Sequence, residues 1–365
     1  MNKTVFLNYI RPILFFLGSI ILVKLLGSSK LFTDELYPKI NGFFGEIFYL
    51  LSARFNFSLG DIFYLILILL GIFFLANLIF KLLKKRYTEV NVSIRKLIYF
   101  LAGFYLYFHL VWGFNYYKTP INESYDVELN SLNELKVLAE IYFLKTMAYR
   151  TQVEEDENGV FKISISNEEI DRLIDQSAEK VTIKYPELRL NAQVGANIKS
   201  SLFSEVFSHL GVSGYYNPFT NEGQYNALMA DSNLLFTQLH ETAHQWGFAT
   251  EDEANFVGFL LGISSDHHDL LYVSNYRAMR SILNRIYWYD PLFVKNYVEN
   301  RYSEAMKRDR AYEIEIAMKY SGKTEEAFSF MNEAFLKLNN QEGLESYGRF
   351  VELLVGYNRM YSIKD

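Results

Sequence analysis

Two unbroken apolar runs dominate the first third of the chain. Ile62–Phe80 holds 19 uncharged residues, and Leu97–Tyr117 holds 21 whose only ionisable group besides tyrosine is His109. At 1.5 Å per residue, either helix would cross a hydrocarbon layer of about 30 Å. Two such runs in succession predict membrane spans rather than helices buried in a soluble core. A third stretch is less uniform, with 12 uncharged residues between Arg11 and Lys24. Both cations are long enough to snorkel to an interface, so an uncleaved span over about residues 7–26 is predicted. A signal-peptide core ending near Gly27-Ser28-Ser29 is the alternative. Residues 40–53, with Phe43, Phe44, Ile47, Phe48, Leu50 and Leu51, read as a short interfacial helix. The aromatic run Trp112–Tyr117 suits an interfacial belt closing the last span.

Beyond Lys118 the pattern changes. Helical periodicity with start signals marks Leu132–Tyr149, Glu168–Val181 and Ile198–Leu210. Val160–Ser164 alternates after an acidic, glycine-ended stretch, which suits a hairpin or exposed loop. Gly211–Asn226 is rich in turn residues and aromatics and reads as irregular chain or short strands. From residue 234 the pattern is helical, with breaks at Gly247, Asp266–Asp269, Asp290-Pro291, Gly322 and Gly343. The prediction is a mainly α protein. Residues 1–117 form an anchor of three transmembrane helices (about 7–26, 62–80 and 97–117), and residues 118–365 form a helix-rich domain with a small sheet.

Charge supports that division. Residues 1–117 carry 12 Lys+Arg against 5 Asp+Glu, whereas residues 118–365 carry 24 against 37. The acidic part is a poor partner for nucleic acid, which needs clustered cations, so none is expected. The bilayer is the partner expected for the basic, apolar part. Six of its cations lie between Lys81 and Lys96, which makes that segment cytoplasmic by the positive-inside rule. The N-terminus is then also cytoplasmic, and residues 118–365 lie on the exoplasmic or periplasmic side of a cytoplasmic (inner) membrane. With no cysteine in the chain, thiolate zinc sites, iron–sulfur clusters, disulfides and cysteine nucleophiles are excluded.

The chemistry concentrates in LLFTQLHETAHQWG, residues 234–247. His240, Glu241 and His244 form H-E-x-x-H. On a helix, positions i and i+4 share a face, so His240 and His244 can reach one Zn2+ ion while Glu241 acts as general base. A surface helix with two solvated histidines is the bland alternative, and the apolar context counts against it. The third ligand stays open. After Gly247, the place of a third histidine in the H-E-x-x-H-x-x-G-x-x-H pattern is held by Thr250, followed by Glu251, Asp252 and Glu253. Glu253 is favoured because it adjoins an apolar face that must pack on the first helix, although Thr250 and Glu253 also make a capping box. Glu251 is an alternative, and His267-His268 a third that more simply reads as a solvated helix start.

The segment HETAHQWGFATEDEANFVGFLLG resembles the signature of the bacterial domain-of-unknown-function family 3810, membrane proteins carrying a zinc-peptidase motif. FSLGD (Phe57–Asp61), VWGFNYY (Val111–Tyr117), GYYNPFTNEGQYN (Gly214–Asn226) and ESYGRFVELL (Glu345–Leu354) extend the resemblance over nearly the whole chain. The EANF piece is also similar to the glutamate-bearing second helix of phage-repressor-cleaving metallopeptidases, which supports Glu253. What this implies is a zincin-like fold for residues 118–365, and a membrane-anchored zinc metallopeptidase cleaving exoplasmic proteins or peptides. Tyr215–Asn226 would supply the strand beside the site, and Tyr347 and Arg349, which lie in a family-like segment, are candidates for oxyanion stabilisation, with packing the simpler role for them. Two other readings stand beside it: a scaffold or sensor with a structural zinc, and a zinc amidase acting on a non-peptide envelope amide. Intramembrane proteolysis is not supported, since His240 lies 123 residues past Tyr117 in a polar domain.

Overall fold

A computed structural model describes residues 3–128, 131–192, 194–322, 325, 328–329 and 346–361. It is mainly helical, with one small sheet, and divides into two compact units. The first comprises residues 1–119 with Pro218–Thr220, and the second comprises residues 120–217 and 221–365.

The first unit is built from α1 (Lys3–Gly27), α2 (Tyr37–Ser52), α3 (Leu59–Leu83) and α4 (Tyr87–Val111). Three segments are long and apolar enough to cross a membrane: Ile10–Gly27, Leu59–Leu83 and Tyr87–Val111. Ser58 caps α3, its Oγ accepting from the Asp61 amide at 2.9 Å. The helix that holds most of the predicted third span starts ten residues before it, at Tyr87, because no proline or glycine interrupts the run through Arg95 and Lys96. It stops at Val111, whose carbonyl accepts from the Asn41 side-chain amide at 2.7 Å. Gly113–Tyr117 then turn as a 3-10 helix, and Phe114 packs edge-on against Phe32 and Tyr37 at 5.0 and 5.3 Å. Trp112, Phe114 and Asn115 are buried, and Tyr116 and Tyr117 are half-buried. Helix α2 covers the predicted 40–53 segment and leaves Phe43, Ile47, Leu50 and Leu51 exposed.

In the second unit, Ser131 and Ser166 cap α5 (Leu132–Arg150) and α6 (Asn167–Lys184) by accepting the amides of Glu134 and Glu169. The helix expected over Ile198–Leu210 does not form as one piece. Ile198–Ser200 is strand β1, and only Ser204–Leu210 (α7) is helical. Short apolar runs suit either structure, and here the ladder decides: β1 pairs in parallel with β3 (Glu222–Tyr225), Ile198 opposite Gly223. Strand β2 (Gly214–Asn217) pairs antiparallel on the other side of β3, giving the order β1-β3-β2. The acidic loop makes a single bridge, Glu155 to Phe161, around Gly159.

Among the described residues six helices follow: α8 (Asp231–Gln245), α9 (Glu251–Ile263), α10 (His268–Tyr287), α11 (Pro291–Arg301), α12 (Glu304–Tyr320) and α13 (Ser346–Tyr361). Asp290 caps α11 through the Phe293 amide, with Pro291 in the first turn where its missing N–H costs nothing. Gly343 lies outside the described residues. Helix α9 sits at the centre, every residue from Ala254 to Gly262 buried, packed by α8, α10 and α13. Charge staples the periphery to this core. Buried Asp309 of α12 accepts from Arg150 Nε at 2.6 Å, the Phe161 amide at 2.8 Å and the Tyr272 hydroxyl. A buried carboxylate with that many donors is satisfied as an anion.

Candidate metal centre

Helix α8 lies under the small sheet and ends at the turn Trp246–Thr250, where Gly247 adopts φ +89°, a left-handed conformation that glycine enters without strain. That turn reverses the chain so that α9 returns along α8. The two imidazoles of α8 stand perpendicular, with ring centroids 4.7 Å apart, as the i, i+4 spacing predicts.

The carboxylate that meets them belongs to Glu251. Its oxygens lie 3.3 Å from His240 Nε2 and 3.7 Å from His244 Nε2, and the three ligand atoms all fall within 4.8 Å of one another. Ligands about 2.1 Å from a tetrahedral zinc would be separated by about 3.4 Å, which those two contacts bracket. Glu253, the residue favoured on sequence, is elsewhere: its Oε1 accepts from the Ile121 amide at 2.7 Å. Two residues along a helix are about 200° of rotation, so Glu251 and Glu253 cannot face the same way. Thr250 precedes the helix but makes no side-chain capping bond, so the expected capping box does not form. His267 instead caps α10, its Nδ1 accepting from the Asp269 amide at 3.3 Å, and His268 packs near Tyr149, so neither joins the cluster. The side chain of Tyr347 lies outside the described residues.

Local chemistry suits a cation. His244 Nδ1 donates to the Phe248 carbonyl at 2.7 Å, which leaves Nε2 with its lone pair facing Glu251. Burial, and secondarily His240, hold His244 down to about 4, so it stays neutral near pH 7. Burial alone would raise Glu251, but the His240 contact and the charges of His240, His244 and Arg277 bring it down to about 2. Asn255, one turn along α9, donates to the Glu251 carbonyl at 2.6 Å and accepts from Arg277 Nη2 at 3.3 Å.

Glu241 stands apart from that trio. Its side chain is buried, 3% exposed overall, and Oε2 has no hydrogen-bond partner among the described residues. Burial and then the Glu251 charge push its carboxyl well above the usual range. The carboxylate lies beneath β2: a Cβ at Gly214 would come 2.7 Å from Glu241 Oε1 and 2.5 Å from the Gln224 carbonyl, so only glycine fits. A buried, unpartnered carboxylate beside three metal-competent groups is the feature that an added cation and its water would satisfy.

The family described as "Protein of unknown function (DUF3810)" matches residues 32–355. The chain belongs to it. No curated protein and no solved structure matches this DUF3810 chain. Of the residues singled out on sequence, His240 and His244 come together, with Glu251 rather than Glu253 facing them, and Glu241 is buried beneath β2. Arg277 and Asn255 had no sequence signal apart from the i, i+4 spacing of Asn255 from Glu251. Arg349 acts electrostatically on Asp252, the neighbour of Glu251 on α9.

Proposed function

We propose that this protein is a membrane-anchored zinc metallopeptidase whose catalytic unit faces the exoplasmic or periplasmic side. The observation that carries the reading is the His240–His244–Glu251 cluster with the buried carboxylate of Glu241 beside it. His240 and His244 through Nε2, and Glu251 through its carboxylate, would hold the ion. A zinc ion there supplies a Lewis acid for the scissile carbonyl and acidifies a water. Glu241 takes the proton of the attacking water and delivers it to the departing amine; burial raises its carboxyl, and the charge of a bound cation would bring it back down so that it can act as the base. Strand β2, an edge strand of the sheet lying over Glu241, offers backbone groups to an extended peptide.

The cations support this topology. Lys81, Lys84, Lys85, Arg86, Arg95 and Lys96 cluster around the short α3–α4 turn, which by the positive-inside rule would lie in the cytoplasm and leave the second unit outside.

The test is metal analysis of the full chain in neutral detergent, paired with hydrolysis of a peptide library. Wild type is expected to hold about one zinc per chain. Glu251→Ala should lose it and Glu253→Ala should keep it. Glu241→Gln should keep zinc and lose at least about 1000-fold in turnover, as expected when a general base disappears. A folded wild-type chain without metal, or a Glu241→Gln variant with normal turnover, would sink the peptidase reading.

A further inference from the structure

The second unit has a cleft of about 600 Å³ between α10, α11 and α12, lined by none of the metal-centre residues. That volume is in the range of small-molecule sites. Its walls are two-faced. Leu283, Leu292, Val294 and Val298 supply an apolar side, and Arg280, Lys295 and Arg310 bring three cations to the same space.

These cations are unequally committed. Arg280 pairs with buried Glu313, which also accepts from the Ser232 hydroxyl at 2.5 Å. Arg310 has no ion-pair partner among the described residues, although it lies near enough to Tyr302 and Glu313 to act on both. Tyr302 also lines the cleft. It is 4% exposed, and its hydroxyl is buried with no hydrogen-bond partner among the described residues. A buried hydroxyl without a partner costs free energy unless a ligand or water satisfies it. Glu299 is the single carboxylate lining the cleft, and it is exposed. Two of the lining side chains, Tyr287 and Leu292, are 56% and 72% exposed, and Trp288 and Tyr289, next along the chain, are exposed as well. Exposed clusters of that kind mark binding surfaces rather than ordinary solvent-facing chain.

We propose that this cleft binds an anionic amphiphile, with a phosphate or carboxylate head held by Arg310 and the Tyr302 hydroxyl and an apolar tail along Leu283, Val294 and Val298. Arg280 and Lys295 add long-range attraction to the head. The same chemistry could come from a lipid of the bilayer or from a free acid, and a change of bilayer composition separates the two.

The full chain is placed in nanodiscs of neutral phosphatidylcholine and titrated with hexyl phosphate, hexanol and inorganic phosphate, with Trp288 fluorescence and calorimetry as readouts. Hexyl phosphate should bind at one site per chain, with hexanol and inorganic phosphate each at least about tenfold weaker. Arg310→Gln and Tyr302→Phe should each weaken hexyl phosphate by about tenfold, and exposed Lys295→Ala by about threefold. Retained zinc and unchanged circular dichroism would establish that the variants are folded. Repeating the titration in discs containing phosphatidylglycerol identifies the source. Weaker apparent affinity there, relieved in Arg310→Gln, assigns the site to a lipid headgroup, and equal affinity assigns it to a free ligand. No saturable binding of hexyl phosphate, or binding unchanged in all three variants, overturns the proposal.

Discussion

Helices α3 and α9 are both strongly apolar, and they lie in opposite surroundings. Along α3 only Gly60 and Asp61 are buried, and Ile68, Leu69, Phe73 and Leu75 are all open. Along α9 every residue from Ala254 to Gly262 is enclosed by protein. The difference lies in length. A helix of 25 residues matches a hydrocarbon layer, whereas one of 13 cannot and has to find its apolar partners within the chain. Apolarity alone says that a surface leaves water. Length says whether lipid or protein replaces it.

Truncating one side chain in each helix tests that contrast with the largest effect. Phe259→Ala in α9 removes a fully buried ring packed against Tyr142 and Phe256, and should cost about 3–5 kcal/mol of stability. Ile68→Ala in α3 removes an exposed side chain, and should change unfolding of the detergent-solubilised chain by less than about 1 kcal/mol. Equal losses in denaturant melts would mean that α3 is buried after all, by a partner or a second copy.

A smaller effect extends the contrast to polar groups. In the first unit the Val111 carbonyl ends a helix and depends on Asn41. Asn41→Ala should cost about 1–2 kcal/mol, because a helix-terminal carbonyl in apolar surroundings has no water to turn to. Thermal melts followed at the first unit's tyrosines would show no shift if water reaches that carbonyl.

A pH effect in the second unit sharpens the contrast from the side of a buried carboxyl. Burial, and then the charge of Asp175, push Asp171 from its ordinary 3.8 up to about 8. A carboxyl raised on folding contributes stability that is complete below about pH 4, declines as pH rises and is gone above about 8. Asp171→Asn should therefore match wild type in Tm at pH 4 and exceed it progressively up to pH 8. A difference that does not grow with pH would show that Asp171 titrates normally.

Much of this architecture was legible. Runs of 19 and 21 uncharged residues announce their own helices, because nothing except a bilayer or a large core accepts them. H-E-x-x-H announces its geometry because i and i+4 share a helix face. Three features were hidden. The 87–96 turns of α4 carry charges that look like a loop, and a helix propagates through charge when no breaker stops it. Ile198–Ser200 has helical periodicity, and its partner strand lies more than twenty residues away, beyond the reach of a local pattern. Among three consecutive acids, the one that turns toward the histidines depends on the azimuth of α9, which is fixed by Phe256, Phe259 and their neighbours.

That azimuth bears on how the gene can change. Surface turns ordinarily absorb insertions and deletions, and the 247–250 turn should do so here, because α9 is held in place by its packed flank and not by the turn. A single codon gained inside α9 ahead of Phe256 is another matter: it would swing the acids by about 100° relative to the packed rings and carry Glu251 away from His240 and His244. The reading frame of the core is thus also the reading frame of the His240–His244–Glu251 trio, and length variation should collect on one side of Thr250 only.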